Sequence, residues 1–209
     1  MKGKTYFALS CIPPVYVIDT EFGAAQLAKQ FPDKDIRIAH VWELGDDFET
    51  DPITCLANVD MAVESLSDVS EGTIVIDSGT DLWKWIQGVL RLLVLKVDKT
   101  ANVRPSDYAW ANAKYASVIL RLLKQPVNFV ITARAKPIYT SASLDTTGEL
   151  EPQWQKDTPH FVDFVIRMDI IQGERYGTIE KCRFTKDTGK SIKELDWDKL
   201  YERFKDVVE

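Results

Sequence analysis

The chain has 209 residues, of which 45% are hydrophobic and 28% are charged, and its formal net charge is −6. This is ordinary globular composition, and the negative charge argues against a general nucleic-acid binder. The three cysteines lie far apart and the two histidines are isolated, so we expect neither a zinc site nor a disulfide framework. No apolar run of transmembrane length and no signal peptide is evident, which predicts a soluble, cytoplasmic protein.

The first part of the chain alternates between predicted strands and helices. Asp51 is a predicted N-cap with Pro52 at the first helical position. In chain order, the predicted elements are a helix in YFALSCI, a strand at Val15–Ile18, a helix in AAQLAKQF, a strand in IRIAHVWEL, a helix in DPITCLANVDMAVESL and a buried strand in GTIVIDS.

The second part begins with two long predicted helices and ends with paired strands. The segments TDLWKWIQGVLRLLVLKV and DYAWANAKYASVILRLLKQ read as helices separated by a polar loop, and VNFVITAR reads as a strand. We expect a polar loop over 137–159, a strand pair around the turn QGER, and an amphipathic helix over 194–209. This order predicts a single α/β domain over 1–209, with a mostly parallel sheet and a late antiparallel hairpin.

Acidic residues follow two predicted strands, where ligands bind in parallel sheets. Asp77 closes TIVID and could hold a hydrated Mg²⁺ beside nucleotide phosphates, although a turn or a helix cap would also explain an acid there. Glu21 follows VYVID and could orient and deprotonate an attacking water. Gly3-Lys4-Thr5 matches the end of a phosphate-binding loop, in which the lysine contacts phosphates and the threonine ligates Mg²⁺.

Basic residues form a second set of candidates. Thr132 and Arg134 follow the fourth predicted strand and could sense a bound phosphate. Lys181 and Arg183 are two residues apart on a predicted strand, so their side chains share one face. Two convergent cations suit a transferring phosphoryl group and can come from a neighbouring subunit, although a surface strand of alternating charge is the simpler explanation.

The middle of the acidic chain is basic. The range 82–136 contains ten lysines and arginines but only two acidic residues. This distribution predicts a face that binds a polyanion, and scattered solvated charges on two helices are the alternative.

Taken together, the segments resemble the RecA-like P-loop ATPase core over nearly the whole chain. The resemblance is strongest to compact nucleotide-binding proteins of phages and archaeal viruses, including Sak-type single-strand annealing or recombination ATPases. The segments that carry it, in order, are GKTYFALS, VYVIDTE, TIVIDSGTDLW, PSDYAWANAKYASVILRLLK, VNFVITARAK, HFVDFVIRMD and EKCRF.

The resemblance implies ATP and Mg²⁺ as ligands, and single-stranded DNA and further copies of the chain as partners. Gly3, Lys4 and Thr5 would belong to the phosphate loop, Asp77 would be the Mg²⁺-linked acid, and Glu21 would activate water. Lys181 and Arg183 would reach into the adjacent subunit's site. The ranges 96–106 and 137–156 would correspond to two DNA-binding loops. The stretch 134–156, which includes the second of these loops, has no net charge, so it would rely on stacking by Tyr139 or Trp154.

The chain departs from this family at its start, where the first glycine of the loop and the first strand are missing. Because that strand normally lies inside the sheet, we expect unpaired backbone groups there, unless the reading frame begins upstream or another segment fills the gap. The leading functional hypothesis is an oligomeric ATPase that binds single-stranded DNA and promotes annealing or strand exchange. The alternatives are a packaging or assembly motor and a binding module that no longer holds ATP.

Overall fold

The centre of the molecule is a four-stranded parallel sheet with the strand order β2-β1-β3-β4. The computed structural model of the protein describes residues 3–46, 49–139, 146–186 and 188–208. The strands of the central sheet are β1 (Val15–Asp19), β2 (Ile36–His40), β3 (Thr73–Asp77) and β4 (Asn128–Ile131). The predicted α/β class with a parallel sheet is confirmed.

Five helices accompany this sheet. Asp51 caps the third of them by accepting hydrogen bonds from the backbone N–H groups of Ile53 and Thr54, and Pro52 occupies its first turn, as the sequence predicted. The five helices are α1 (Lys4–Ser10), α2 (Ala24–Ala28), α3 (Pro52–Ser65), α4 (Gly79–Val97) and α5 (Tyr108–Leu123).

Both faces of β3 are covered, which explains its continuous apolar sequence. Ile74 and Ile76 pack into the main core with residues of α3, α4 and α5. Val75 points to the opposite face and packs with Ala8 of α1 and Ala24 of α2. All five residues of β3 are therefore buried.

The four strands of the parallel sheet pair without a gap between them. β3 pairs with β1 on one side and directly with β4 on the other. The unpaired backbone groups that the sequence predicted therefore do not lie between these four strands, and the outer edge of β4 is a place where a further strand could pair. In the part of the chain that is described, the outer strands of this sheet are β2 and β4.

The range 137–159 is not the polar loop that the sequence predicted. Most of it belongs to an antiparallel pair, β5 (Ala135–Tyr139) and β6 (Thr146–Pro152), followed by the short helix α6 (Thr158–Phe161). Pro137 lies within this pair, which is compatible with an edge strand that need not donate at every position. The positions 140–145 of the predicted second DNA-binding loop lie outside the described residues.

A second antiparallel sheet follows, as predicted. It contains β7 (Phe164–Ile171), β8 (Glu174–Cys182) and the short strand β9 (Ser191–Lys193), which the sequence did not reveal. Gln172 and Gly173 form the tight turn with φ values of +53° and +83°. Helix α7 (Trp197–Val208) buries Leu200 and Phe204 against this sheet. No helix within the described residues combines the length and apolarity needed to cross a membrane.

Candidate functional site

Asp77 lies at the end of β3 and joins three elements. Its carboxylate accepts a hydrogen bond from Thr5 Oγ1 at 2.7 Å and another from the hydroxyl of Thr132. Thr5 belongs to the first turn of α1, and Thr132 directly follows β4. Because β3 and β4 are parallel, their carboxyl ends meet at the same edge of the sheet. The sequence-predicted residues Thr5, Asp77 and Thr132 are therefore brought together.

Burial raises the pKa of Asp77 above its ordinary value, because desolvation disfavours the charged carboxylate. The hydrogen bonds from Thr132 and Thr5 oppose this shift, and the nearby negative charge of Asp19 adds to it. The positive charge of Lys4 lowers the pKa of Asp77. A further cation at this carboxylate would stabilise its ionised form.

Glu21 lies beside this cluster on the turn after β1. Its Oε1 is 2.7 Å from the hydroxyl of Ser78 and 3.3 Å from Nε of Arg134. Burial raises the pKa of Glu21, and the charges of Asp77 and Asp81 raise it further, while Ser78 and Arg134 act in the opposite direction. A carboxylate of raised pKa is a better proton acceptor, which is the property needed to deprotonate a water.

Arg134 connects Glu21 to the start of α4. Its backbone N–H donates to Thr80 Oγ1 at 2.9 Å, and its guanidinium forms an ion pair with Asp81. The Nε atom of Arg134 is shielded from solvent, and within the described residues it has no hydrogen-bond acceptor despite the short distance to Glu21. The Nε atom therefore faces the Glu21 carboxylate as an ion-pair partner, without a well-directed hydrogen bond.

Gly3 and Lys4 begin α1 next to the antiparallel sheet. Gly3 has a φ of +91°, a backbone conformation that favours glycine. A Cβ atom added to Gly3 would lie only 2.9 Å from Arg175 Cδ, so the neighbouring side chain also favours glycine. The guanidinium of Arg175 stacks over the ring of Tyr6 at 3.7 Å. Lys4 is half-buried and lies close enough to lower the pKa of Asp77. The start of α1 is thus partly covered by β8.

Asp19 is a further carboxylate at this edge, and it is fully buried. It accepts hydrogen bonds from the backbone N–H groups of Glu21 at 3.1 Å and Ala24 at 3.3 Å. His40 Nδ1 lies 3.4 Å away. These contacts fix the turn that carries Glu21, so Asp19 positions that side chain.

Sequence reasoning missed two members of the site, Ser78 and Asp81. Ser78 Oγ lies 3.0 Å from Asp81 Oδ2 and also contacts Glu21, so it links the ends of β1 and β3. Both residues follow Asp77 in the segment DSGTD. This position indicates a place in the site, because polar residues that follow a buried strand lie at the ligand-binding edge of the sheet.

The two cationic residues Lys181 and Arg183 do not contact the Asp77 cluster in the described structure. Lys181 Nζ donates to the carbonyl of Pro159 and, at 2.7 Å, to that of Val162. Arg183 Nη2 donates to the carbonyl of His160 at 2.9 Å. Among the described contacts both side chains bind the segment around α6 and not the Asp77 cluster, and Arg183 lies beyond the end of β8, so the predicted shared strand face is not formed.

The oxygen atoms of Thr5 and Asp77 are of the kind that Mg²⁺ prefers. A hydroxyl and a carboxylate 2.7 Å apart could hold this ion together with phosphate oxygens and water. Within the described residues there is no group of three or more His, Cys, Asp or Glu side chains arranged to hold a metal ion. The donor set therefore fits an ion shared with a phosphate ligand better than one held by the protein alone.

No protein-family model matches the chain, and no curated protein matches it.

Proposed function

We propose that the protein is a Mg²⁺-dependent ATPase with a RecA-like site, and that it binds single-stranded DNA in recombination or annealing. The observation that carries the proposal is the hydrogen bond between Thr5 and Asp77, with Glu21 held beside it by Ser78. This arrangement combines a hydroxyl, a buried carboxylate and a second carboxylate of raised pKa at one edge of a parallel sheet.

The residues divide the chemistry between them. Thr5 and Asp77 would hold Mg²⁺, which neutralises charge on the β- and γ-phosphates when it is bound. Lys4 would contact the same phosphates. Glu21 would accept a proton from the attacking water, and Arg134 would hold Glu21 in place through the ion pair of its Nε.

A neighbouring copy of the chain would complete the site in this proposal. Lys181 lies near the end of β8, and Arg183 directly follows the strand with an exposed side chain. In an oligomer these cations would leave the carbonyl groups that they contact in the single chain and stabilise the γ-phosphate of the adjacent subunit.

The DNA-binding part of the proposal is supported by the basic middle of the chain. Lys114 and Arg121 form ion pairs with Asp60, which removes them from the candidate surface. Other basic residues of this region are exposed and have no ion pair within the described residues; they are Arg91, Lys96, Lys99, Arg104 and Lys124. Trp110 is also exposed in this region, so the surface offers both phosphate contacts and a stacking side chain.

One observation favours the second candidate, a module that binds without hydrolysis. Arg175 of β8 packs against Gly3 and stacks on Tyr6, and it therefore lies where a phosphate would approach the start of α1. If Arg175 stays in this position, access to Lys4 and Thr5 is restricted.

ATP binding and hydrolysis by variants test the proposal. In Mg²⁺, Glu21→Gln should bind ATP but hydrolyse it about 10²–10⁴ times more slowly, because a general base is lost. Lys4→Ala should weaken ATP binding. Glu43→Gln, at an exposed glutamate outside the cluster, is the matched control and should retain both activities.

The same assay separates the functional alternatives. Hydrolysis stimulated by single-stranded oligonucleotide supports the DNA-dependent ATPase, whereas hydrolysis indifferent to DNA favours a packaging or assembly motor. Absence of ATP binding by the folded wild-type protein would reject the ATPase and favour the binding module.

A further inference from the structure

A cavity of about 590 Å³ lies between β4 of the parallel sheet and β7 of the antiparallel sheet. In the described structure each of these strands is the outer strand of its sheet, since β4 pairs with β3 and β7 pairs with β8. Two sheet edges therefore border the same space.

The cavity runs along the backbone of both strands. A pocket on one face of a sheet is lined by alternate residues of a strand, because successive side chains point to opposite faces. Here the lining is continuous over 128–135 and again over 161–168. This continuity indicates that the edges of the strands, and not only their side chains, face the cavity.

The hydrogen bonds of β4 identify which backbone groups point into it. The N–H groups of Asn128 and Thr132 donate to carbonyls of Gly72 and Ile76 on the β3 side. Because backbone groups alternate along a strand, the N–H and C=O groups of Phe129 and Ile131 point away from β3 and toward the cavity.

Apolar side chains around the cavity remain accessible. All four residues of β4 are half-buried, whereas all five residues of the adjacent β3 are fully buried. Several of the exposed large apolar side chains of the molecule line this cavity: Ile12, Leu123, Leu150, Phe184 and Tyr201. Such a concentration of exposed apolar surface is typical of a binding site.

We propose that this cavity accepts an extended apolar strand from a partner polypeptide, which pairs with β4 and β7 and joins the two sheets. Only another strand offers N–H and C=O groups at the spacing needed to satisfy a sheet edge. A strand of four residues between packed layers fills roughly 600 Å³, taking about 13 Å of length, 4.8 Å of strand spacing and 10 Å of layer spacing. The cavity of about 590 Å³ is therefore large enough for such a strand, and the proposal does not depend on ATP hydrolysis.

Amide hydrogen exchange measured by NMR with a probe peptide tests the proposal. The probe is an acetylated and amidated peptide with a Thr-Val-Ile-Val-Thr core and a lysine at each end. In the free protein the amides of Phe129 and Ile131 should exchange faster than that of Val130, which points toward β3. The peptide should slow exchange at Phe129 and Ile131 at least tenfold and leave Val130 little changed.

A chemical control separates strand pairing from burial of an apolar molecule. The same peptide with N-methyl groups on alternate residues keeps its side chains but loses N–H donors on one edge, so it should bind at least tenfold more weakly. Equal binding of both peptides would overturn the proposal in favour of a site for apolar molecules. Absence of binding would overturn it as well.

Two variants test whether the peptide binds in the cavity. Phe184→Lys changes an exposed residue that lines the cavity, and it should weaken peptide binding at least tenfold. Ile171→Lys changes a similarly exposed residue at the far end of β7 and should not affect binding. Equal effects of the two variants would contradict this location. Protection of Phe129 and Ile131 that rises with protein concentration alone would instead identify a second copy of the chain as the occupant.

Discussion

The carboxyl end of the parallel sheet and its outer edge at β4 differ in how their polar groups are satisfied. At the carboxyl end, hydrogen bonds and an ion pair satisfy the charged side chains. Asp77 accepts a hydrogen bond from Thr5, Glu21 accepts one from Ser78, and Arg134 forms an ion pair with Asp81. At the outer edge, backbone groups of Phe129 and Ile131 face a cavity lined by apolar side chains. The first region suits a charged ligand, and the second suits an apolar strand. One sheet thus presents two regions of different chemistry.

The largest expected effect is a difference in the free energy of unfolding between two isoleucine variants, one at a buried position and one beside the cavity. Ile76 of β3 and Ile131 of β4 are direct neighbours in the register, but only Ile76 is fully buried. Ile76→Ala should lower the free energy of unfolding by about 4 kcal/mol, because it leaves a cavity in a tightly packed core. Ile131→Ala should cost about 2 kcal/mol, because its side chain is already partly accessible. Denaturant unfolding measures both.

Equal losses for the two isoleucine variants would show that the cavity beside β4 is closed in solution. The ratio between the two losses is therefore a direct measure of how open the outer edge is. A peptide that fills the cavity should stabilise the wild-type protein in the same unfolding assay.

A smaller difference is expected between the two threonines that donate to Asp77. Thr132 is buried, and Thr132→Val should lower the free energy of unfolding by about 2 kcal/mol, because one carboxylate oxygen loses its partner away from solvent. Thr5 is half-buried, and Thr5→Val should cost about 1 kcal/mol, since water can replace its hydroxyl. Thermal or denaturant unfolding compares them. A larger loss for Thr5→Val would mean that the start of α1 is the better-shielded side of the carboxylate.

Local patterns in the sequence predicted much of the parallel sheet and part of the site. The continuous apolar run TIVID predicted a strand with both faces covered, and the acid at its end identified Asp77 as a member of the site. Asp51 and Pro52 predicted the start of α3 because capping depends on neighbouring residues. These features depend on short stretches of chain, so one sequence is enough to reveal them.

Long-range pairing was harder to predict. The sequence suggested that a strand is missing but not where its edge lies; the four described strands pair without a gap, and the outer edge that faces a cavity is at β4. The β5–β6 pair was missed because the polar composition and the prolines of 137–159 indicated a loop. The contacts of Glu21 with Ser78 and Arg134 join residues 57 or more positions apart, which no local pattern reports.

The smallest predicted effect concerns how acidity changes the stability of the carboxyl end. Burial raises the pKa of Asp77 in the folded protein, so its contribution to stability is fully present below the ordinary pKa of an aspartate. That contribution is lost as the pH rises through the raised pKa, by at most about 1.4 kcal/mol per pH unit for one group. Asp77→Asn should remove this loss, so its stability relative to the wild type should increase with pH in unfolding experiments.

Asp98 provides the control because its pKa shifts in the opposite direction. The backbone N–H and the hydroxyl of Thr100 hydrogen-bond to its exposed carboxylate and lower its pKa. The stability from Asp98 is therefore present above the ordinary pKa and is lost as the pH falls through the lowered one. Asp98→Asn should become less destabilised relative to the wild type at acidic pH, whereas Asp77→Asn should gain toward neutral pH. If both variants followed the same trend, burial would not be the cause of the Asp77 shift, and the carboxyl end would be as open to water as the α4–α5 loop.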